Sequence, residues 1–158
     1  METKTDNRIS WINAPKEAPK DKIGFVYCIT NLKNGKKYIG IKKFWKIVKK
    51  KPTKYKMKEG KFVKDNKGKR ILNTRTTKIH TQVETDWRSY WGSGNFKEEI
   101  EQNPTQFKKE ILILCDTVTD MKLYEAWIQL NYWEAGNWDL LYNEEINLRV
   151  RVRKNGNN

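Results

Sequence analysis

Histidine occurs once in this chain and cysteine twice. With His80 the sole imidazole and Cys28 and Cys115 the sole thiols, neither a two-histidine zinc site nor a zinc finger of the usual ligand sets can be assembled. Histidine-rich nuclease centres of the HNH kind are disfavoured for the same reason. Long apolar runs are missing too. Nothing approaches the roughly 18 residues of a membrane-spanning helix, and no basic stretch carries the long apolar face of an interfacial one. There is no glycine loop of P-loop spacing to cradle a nucleotide phosphate. Each thiol sits in a short apolar run with no secretory leader ahead of it. Both are therefore expected to be free and buried, in a reducing compartment such as the cytoplasm.

Acidic residues are scarce in one region above all. The 158 residues hold 33 Lys and Arg against 19 Asp and Glu, a net charge of +14. Residues 36–70 carry 16 basic and 2 acidic side chains, whereas 71–148 are acidic by six and 149–158 basic by four. So concentrated a positive field beside ordinary globular sequence is the footprint of a polyanion binder. The bland alternative is a solvated lysine-rich loop that serves only solubility. A membrane surface would need the apolar face that is lacking, so nucleic acid is the expected partner. The length suits one domain with a real core.

What is present is organised around residues 24–43. Phe25 to Ile29 and Tyr38 to Ile41 are short runs rich in β-branched and aromatic residues, too short for helices. Between them, Asn34-Gly35 favours the positive φ angles of a tight turn. The pattern predicts an antiparallel hairpin with one tyrosine on each strand, Tyr27 and Tyr38. Residues 1–22 read as an extended arm that Trp11 and Ile12 can pin to the body. After the hairpin, Ile41, Phe44, Trp45 and Val48 keep helical spacing up to Pro52, which predicts a short basic helix. Residues 52–80 show only thin apolar points (Tyr55, Met57, Phe62 and Val63) among lysines, with turn signals at Glu59-Gly60 and at 66–68. They read as a twisted hairpin or extended loop, part of an insertion over about 46–82 in a domain spanning 23–148. Its Lys46, Lys49, Lys50, Lys51, Lys54, Arg70 and Arg75, with Lys42 and Lys43 just ahead, are expected to contact phosphates without reading sequence.

Residues 85–91 predict a brief helix closed by Gly92-Ser93-Gly94, and 95–102 a second, ended by Asn103-Pro104. Residues 107–115 predict a central strand whose apolar run from Ile111 to Cys115 is buried on both faces. A long helix over 120–135 follows, capped by Thr119 and Asp120 and stopped by Gly136. Met121, Glu125, Ile128 and Tyr132 share one face of it, with Leu123, Trp127 and Leu130 beside them, so this helix reads as largely buried. Glu125 is then a carboxylate in an apolar stripe, which calls for a salt bridge, hydrogen bonds or a metal ion. In the tail, 149–158, Arg149, Arg151 and Arg153 alternate with Val150 and Val152, as in an edge strand or a basic tail on phosphate.

Taken in order, these residues resemble the GIY-YIG endonuclease family. The first motif stands here as Phe25-Val26-Tyr27 with Gly24 just ahead, and the second is intact as Tyr38-Ile39-Gly40. An aromatic-Gly-Ser-Gly segment (Tyr90 to Gly94), the 107–114 strand, a helix bearing Glu125 and a closing Tyr142-Asn143 follow in the family's order. The likeness covers roughly residues 24–143 and is greatest to small phage-type members. It implies an α/β (α+β) fold, a three-stranded antiparallel sheet flanked by helices, here with a lysine-rich insertion. It also implies a phosphodiester hydrolase that cuts DNA with one divalent cation, Mg²⁺ or Mn²⁺. Glu125 is implied as the metal ligand and Tyr27 as general base, its pKa pulled below about 10 by cationic neighbours. Tyr38 is implied as the group that orients water or phosphate, and Asn143 as a brace.

One departure stands out. The family's arginine on a helix after the second motif has no counterpart, since no arginine occurs between Gly40 and Arg70. Arg88 is the replacement expected to contact phosphate, Lys43 the second choice, and His80 a candidate proton shuttle. The competing reading is a weak or inactive DNA-binding protein on the same scaffold. A PD-(D/E)xK nuclease has only Glu59-Gly60-Lys61 in its favour. Low sequence specificity is expected, because few residues follow Asn143. So are a monomer or weak homodimer, and a cytoplasmic location (the host's, if a phage encodes it).

Overall fold

The computed structural model describes residues 9–74 and 77–150, so Arg75, Arg151 and Arg153 lie outside the described residues. The strands, in chain order, are β1 (Gly24–Asn31), β2 (Lys37–Lys43), β3 (Trp45–Lys50), β4 (Met57–Lys58), β5 (Lys61–Phe62), β6 (Ile79–Glu84) and β7 (Phe107–Cys115). The helices are α1 (Lys97–Gln102) and α2 (Val118–Glu134), and short 3-10 turns cover Pro104–Gln106 and Trp138–Leu140. The chain divides into two compact units, one of them Lys46–Val83 and the other the residues before and after it.

All eight residues of β1 are buried, because it is the middle strand of a three-stranded antiparallel sheet in the order β2-β1-β7. Alternation along β1 feeds two cores. Phe25, Tyr27 and Ile29 pack with Trp11, Phe44, Trp87, Phe96, Phe107 and Ile111 on one face. Val26 and Cys28 pack with Ile39, Cys115, Met121 and Leu141 on the other, where α2 lies. Both sheet edges are covered by chain outside the sheet. Ile12 bridges β7 at Glu110, and Leu141 bridges β2 at Lys37, both in parallel, which leaves fewer edge groups open to stray pairing. The described part of the N-terminal arm is thus built into the body, with the Trp11 indole donating to the Trp87 carbonyl at 2.6 Å.

Several expected elements take another form. The strand buried on both faces is β1; β7 is an edge strand, and its Leu112 and Leu114 are exposed. A bulge between Val26 and Tyr27 shifts the register there, pairing Tyr27 with Ile111 and Val26 with Ile113. The hairpin loop runs from Leu32 to Lys36 and only Gly35 in it takes a positive φ, +73°. The basic helix expected after Gly40 is instead β3, its β-branched Ile47 and Val48 suiting a strand paired with β6. Residues 85–91 hold a turn at Trp87–Ser89 in place of a helix. The long helix begins earlier than expected, on a capping box between Thr117 and Asp120. It buries Met121, Ala126 and Gln129 but leaves Leu123, Tyr124, Trp127, Leu130 and Trp133 exposed. Both thiols are free and buried.

The unit Lys46–Val83 holds the paired strands β3 and β6 and the hairpin β4–β5. Glu59 (φ +51°) and Gly60 (φ +75°) make the hairpin's two-residue turn, both in the left-handed region that such a turn demands. None of this unit's described residues is buried.

Candidate active site

The register of the hairpin sets Tyr27 opposite Gly40 and Ile29 opposite Tyr38. The two tyrosines therefore stand diagonally on one face, their ring centroids 6.2 Å apart. A glycine at position 40 is required by the packing, since a Cβ there would lie 2.5 Å from the Tyr27 hydroxyl oxygen. On the other side a Cβ on Gly92, which holds φ +83°, would meet that same oxygen at 3.3 Å. The Tyr27 phenol is thus seated between two glycines, with the Tyr90 ring edge-on to it at 6.0 Å. Tyr27 is 1% exposed.

Burial, then the charges of Tyr90, Tyr38 and Glu125, push the Tyr27 phenol far above its ordinary pKa. This corrects the expectation of cationic neighbours lowering it. The lysines after Gly40 alternate across β2, and no cation contributes to the shift. Burial also raises Tyr38, while its contact with Ser93 (Oη to Oγ, 3.4 Å) works the other way.

Tyr38 is the tyrosine that opens onto a cleft of about 320 Å³, lined also by Glu125, Gln129, Ser93, Tyr142 and Asn143. Glu125 projects there from α2. Burial drives its carboxyl up to about 7, and Lys122 offsets this only in part. Among the described residues Glu125 has no ion-pair partner, so the salt bridge that would have made it a purely structural carboxylate is not found there. Asn143 uses both ends of its amide: it accepts from the Ile39 N–H at 2.9 Å and donates to the Ile39 carbonyl at 2.8 Å. Beside it, the Tyr142 N–H donates to the Lys37 carbonyl at 2.7 Å. Residues 141–143 thereby extend the sheet past β2 and fix Tyr38 between two anchored backbone positions.

Arg88 and Lys43, the phosphate-contact candidates in the cleft's own unit, do not line the cleft. Arg88 donates to the Lys16 carbonyl at 2.9 Å, approaches Glu84 at 3.7 Å and stacks on Trp87. Lys43 is exposed at the end of β2. His80, Lys46, Lys49, Lys50, Lys51, Lys54 and Arg70 belong to the unit Lys46–Val83. His80 is exposed on β6. The cation joined to the tyrosine cluster is Lys42, two residues beyond Gly40 on the same strand face. Its Nζ lies 3.8 Å from the Tyr90 ring centroid and 2.6 Å from Asp86 Oδ1.

Sequence reasoning missed Tyr90 as a partner of Tyr27, although the aromatic ahead of Gly92 was the available signal. It also missed Lys109, a fully buried lysine on β7. Its Nζ donates to the carbonyls of Arg88 and Tyr90 at 2.9 and 3.2 Å, between the faces of Trp11 and Trp91. Nothing in an alternating strand pattern marks a lysine as inward-facing and bonded to a distant turn.

Among the described residues three glutamates (Glu125, Glu144 and Glu145) line the cleft, and no Lys or Arg does. A phosphate can enter such a surface only with a cation to offset the charge. Among the described residues no cluster of three His, Cys, Asp or Glu is close enough to hold a metal. The donor set therefore fits a hard cation that takes one carboxylate and keeps most of its water, as Mg²⁺ does.

Residues 10–137 match the family model described as "Putative endonuclease segE, GIY-YIG domain". No curated protein and no solved structure matches the chain. No helix among the described residues is long and apolar enough to cross a membrane.

Proposed function

The chain belongs to the GIY-YIG endonuclease family, and on that premise we propose that it is a divalent-metal-dependent DNA endonuclease of low sequence specificity. The observation that carries this reading is the cleft in which Tyr38, Glu125 and the braced Asn143 meet. Glu125 would hold Mg²⁺ or Mn²⁺; such a cation, when bound, polarises a phosphoryl oxygen and favours the deprotonated form of nearby water and phenol. Tyr38 faces the cleft and takes the role of orienting the attacking water and receiving its proton. Tyr27, sealed behind Gly40 and Gly92, positions Tyr38 from behind together with Tyr90. Lys42 is the cation best placed to steady the tyrosine cluster as charge develops, in preference to Arg88 or Lys43. It does so as a point charge without an arginine's fork. Asn143 keeps β2 in register. The free buried thiols suit a reducing cytoplasm, and the protein is read as a monomer or weak homodimer.

A second reading, DNA binding without cleavage, is favoured by one observation, the absence of Lys and Arg among the described residues that line the cleft. Incubation of supercoiled plasmid with Mg²⁺ or Mn²⁺ separates the two. The native protein is expected to nick or linearise it, and Glu125→Ala and Tyr38→Phe to bind DNA and lose at least about 100-fold in cleavage rate. Binding by the native protein without cutting under either metal would establish the second reading. Undiminished cutting by Glu125→Ala would remove the metal from this residue.

A further inference from the structure

The unit Lys46–Val83 carries fourteen basic and two acidic side chains, and none of its described residues is buried. Its described residues therefore form no hydrophobic core. Its hairpin β4–β5 is two-faced. Lys58 stands directly opposite Lys61 on one side, and Met57 opposite Phe62 on the other. Like charges directly across an antiparallel pair repel, a repulsion that an anion between or above them relieves. On the other side Phe62 is 41% exposed and Met57 45%. Phe62 is held edge-on to Tyr55 at 6.2 Å, with the Arg70 guanidinium 4.1 Å from its centroid. The hairpin is anchored at its base by the bridges Tyr55–Leu72 and Lys64–Arg70 and by the turn that Asp65 Oδ1 closes on the N–H groups of Lys67 and Lys69.

Paired lysines on one side of a ribbon and an exposed ring flanked by a guanidinium on the other match the two surfaces of a nucleic acid, its phosphates and the faces of its bases. We propose that the β4–β5 hairpin is a DNA-gripping finger: Lys58 and Lys61 converge on the backbone, while Phe62, backed by Tyr55 and Arg70, wedges against a base step that the duplex partly unstacks. This deepens the endonuclease reading and rests on DNA being the substrate. It assigns to this segment a contact that salt does not screen, beside the ionic ones.

The test is the affinity of the full chain for a fluorescent duplex carrying 2-aminopurine, measured in EDTA at several salt concentrations so that cleavage plays no part. Lys58→Gln/Lys61→Gln is expected to flatten the slope of log affinity against log salt by about 1 to 2, as the loss of one or two phosphate contacts requires. Phe62→Ala is expected to weaken binding about 5- to 100-fold with the slope unchanged, and to abolish the 2-aminopurine response. Phe62→Trp, which keeps a stacking ring, should retain both. Native-like affinity of Phe62→Ala, or equal losses in the Ala and Trp variants, would overturn the finger while leaving the nuclease reading in place. If the native chain itself fails to bind the duplex, the DNA reading falls and the finger with it.

Discussion

At the scale of single residues, the site rests on a carboxylate that folding disfavours. The Glu125 pKa rises from 4.5 to about 7 on burial, so the folded state holds the proton more tightly than the unfolded one. Below about pH 4.5 the group is protonated in both states and costs nothing. As pH climbs from there through 7 the cost grows, and above 7 it is complete. Glu125→Gln is thus expected to raise thermal stability at pH 8 by about 1–2 kcal/mol, after allowance for solvent screening, and to leave it unchanged at pH 4. Thermal melts of the two proteins at both pH values check this. At sub-saturating metal, cleavage should fall by up to about tenfold per pH unit below about 7, where protons compete with the cation for the carboxylate. Gly40→Ala tests the other half of the site. Its methyl would overlap the Tyr27 phenol, with an expected loss of about 1–3 kcal/mol in stability and of most cleavage. The sequence motif marks Gly40 and both tyrosines, but it does not tell which phenol is sealed. That follows from a glycine 52 residues further on, Gly92, closing over Tyr27.

At the scale of elements, most of what depended on local chemistry was legible, the turn at Trp87–Ser89 in place of a brief helix being the exception. The hairpin 24–43, the limits of β7, the existence of α1 and α2 and the three-stranded antiparallel sheet follow from periodicity, turn residues and the family's order. What failed depended on neighbours distant in sequence. Phe44, Trp45 and Val48 have helical spacing, yet β3 pairs with β6, about thirty residues away. The run Ile111 to Cys115 looks doubly buried, yet β7 is an edge strand because the described residues supply no fourth strand beyond it, only the bridge at Ile12. Lys109 is the clearest case, a charged residue type in an edge strand that ties the turn 88–90 to the sheet. Lys109→Met keeps the bulk and strands two carbonyls, so it should cost about 2–4 kcal/mol in urea unfolding. Cleavage should suffer beyond that, since Tyr90 would no longer be held against Tyr27. The unit Lys46–Val83 offers the opposite behaviour. With no buried residue described in it, its backbone should open at little cost. Trypsin is expected to cut the free protein first within this unit, and duplex DNA to protect those sites. Preferential first cutting within 107–134 would contradict that ordering of stability.

At the scale of the whole molecule, charge is segregated by task. Of the net +14, +12 belongs to Lys46–Val83, while among the described residues the cleft lining presents three glutamates and no cation. On the proposed reading, attraction to DNA and chemistry on it draw on different charges. Attraction would come from lysines spread along the insertion, and the local field for hydrolysis from the cation that Glu125 would hold. Salt acts strongly on the first and weakly on the second, because screening weakens exposed charges far more than a half-buried site. If six to ten phosphates are contacted, raising salt from 50 to 200 mM should lower duplex affinity by about 10³- to 10⁵-fold. The cleavage rate of protein already bound, measured in a single turnover at saturating protein, should change by less than about threefold over the same range. Unrelated duplexes should compete equally well, since backbone contacts carry no sequence information. An affinity indifferent to salt, or a single-turnover rate that falls in step with affinity, would mean that the insertion's lysines act at the chemical step as well, and the division of labour argued here would be wrong.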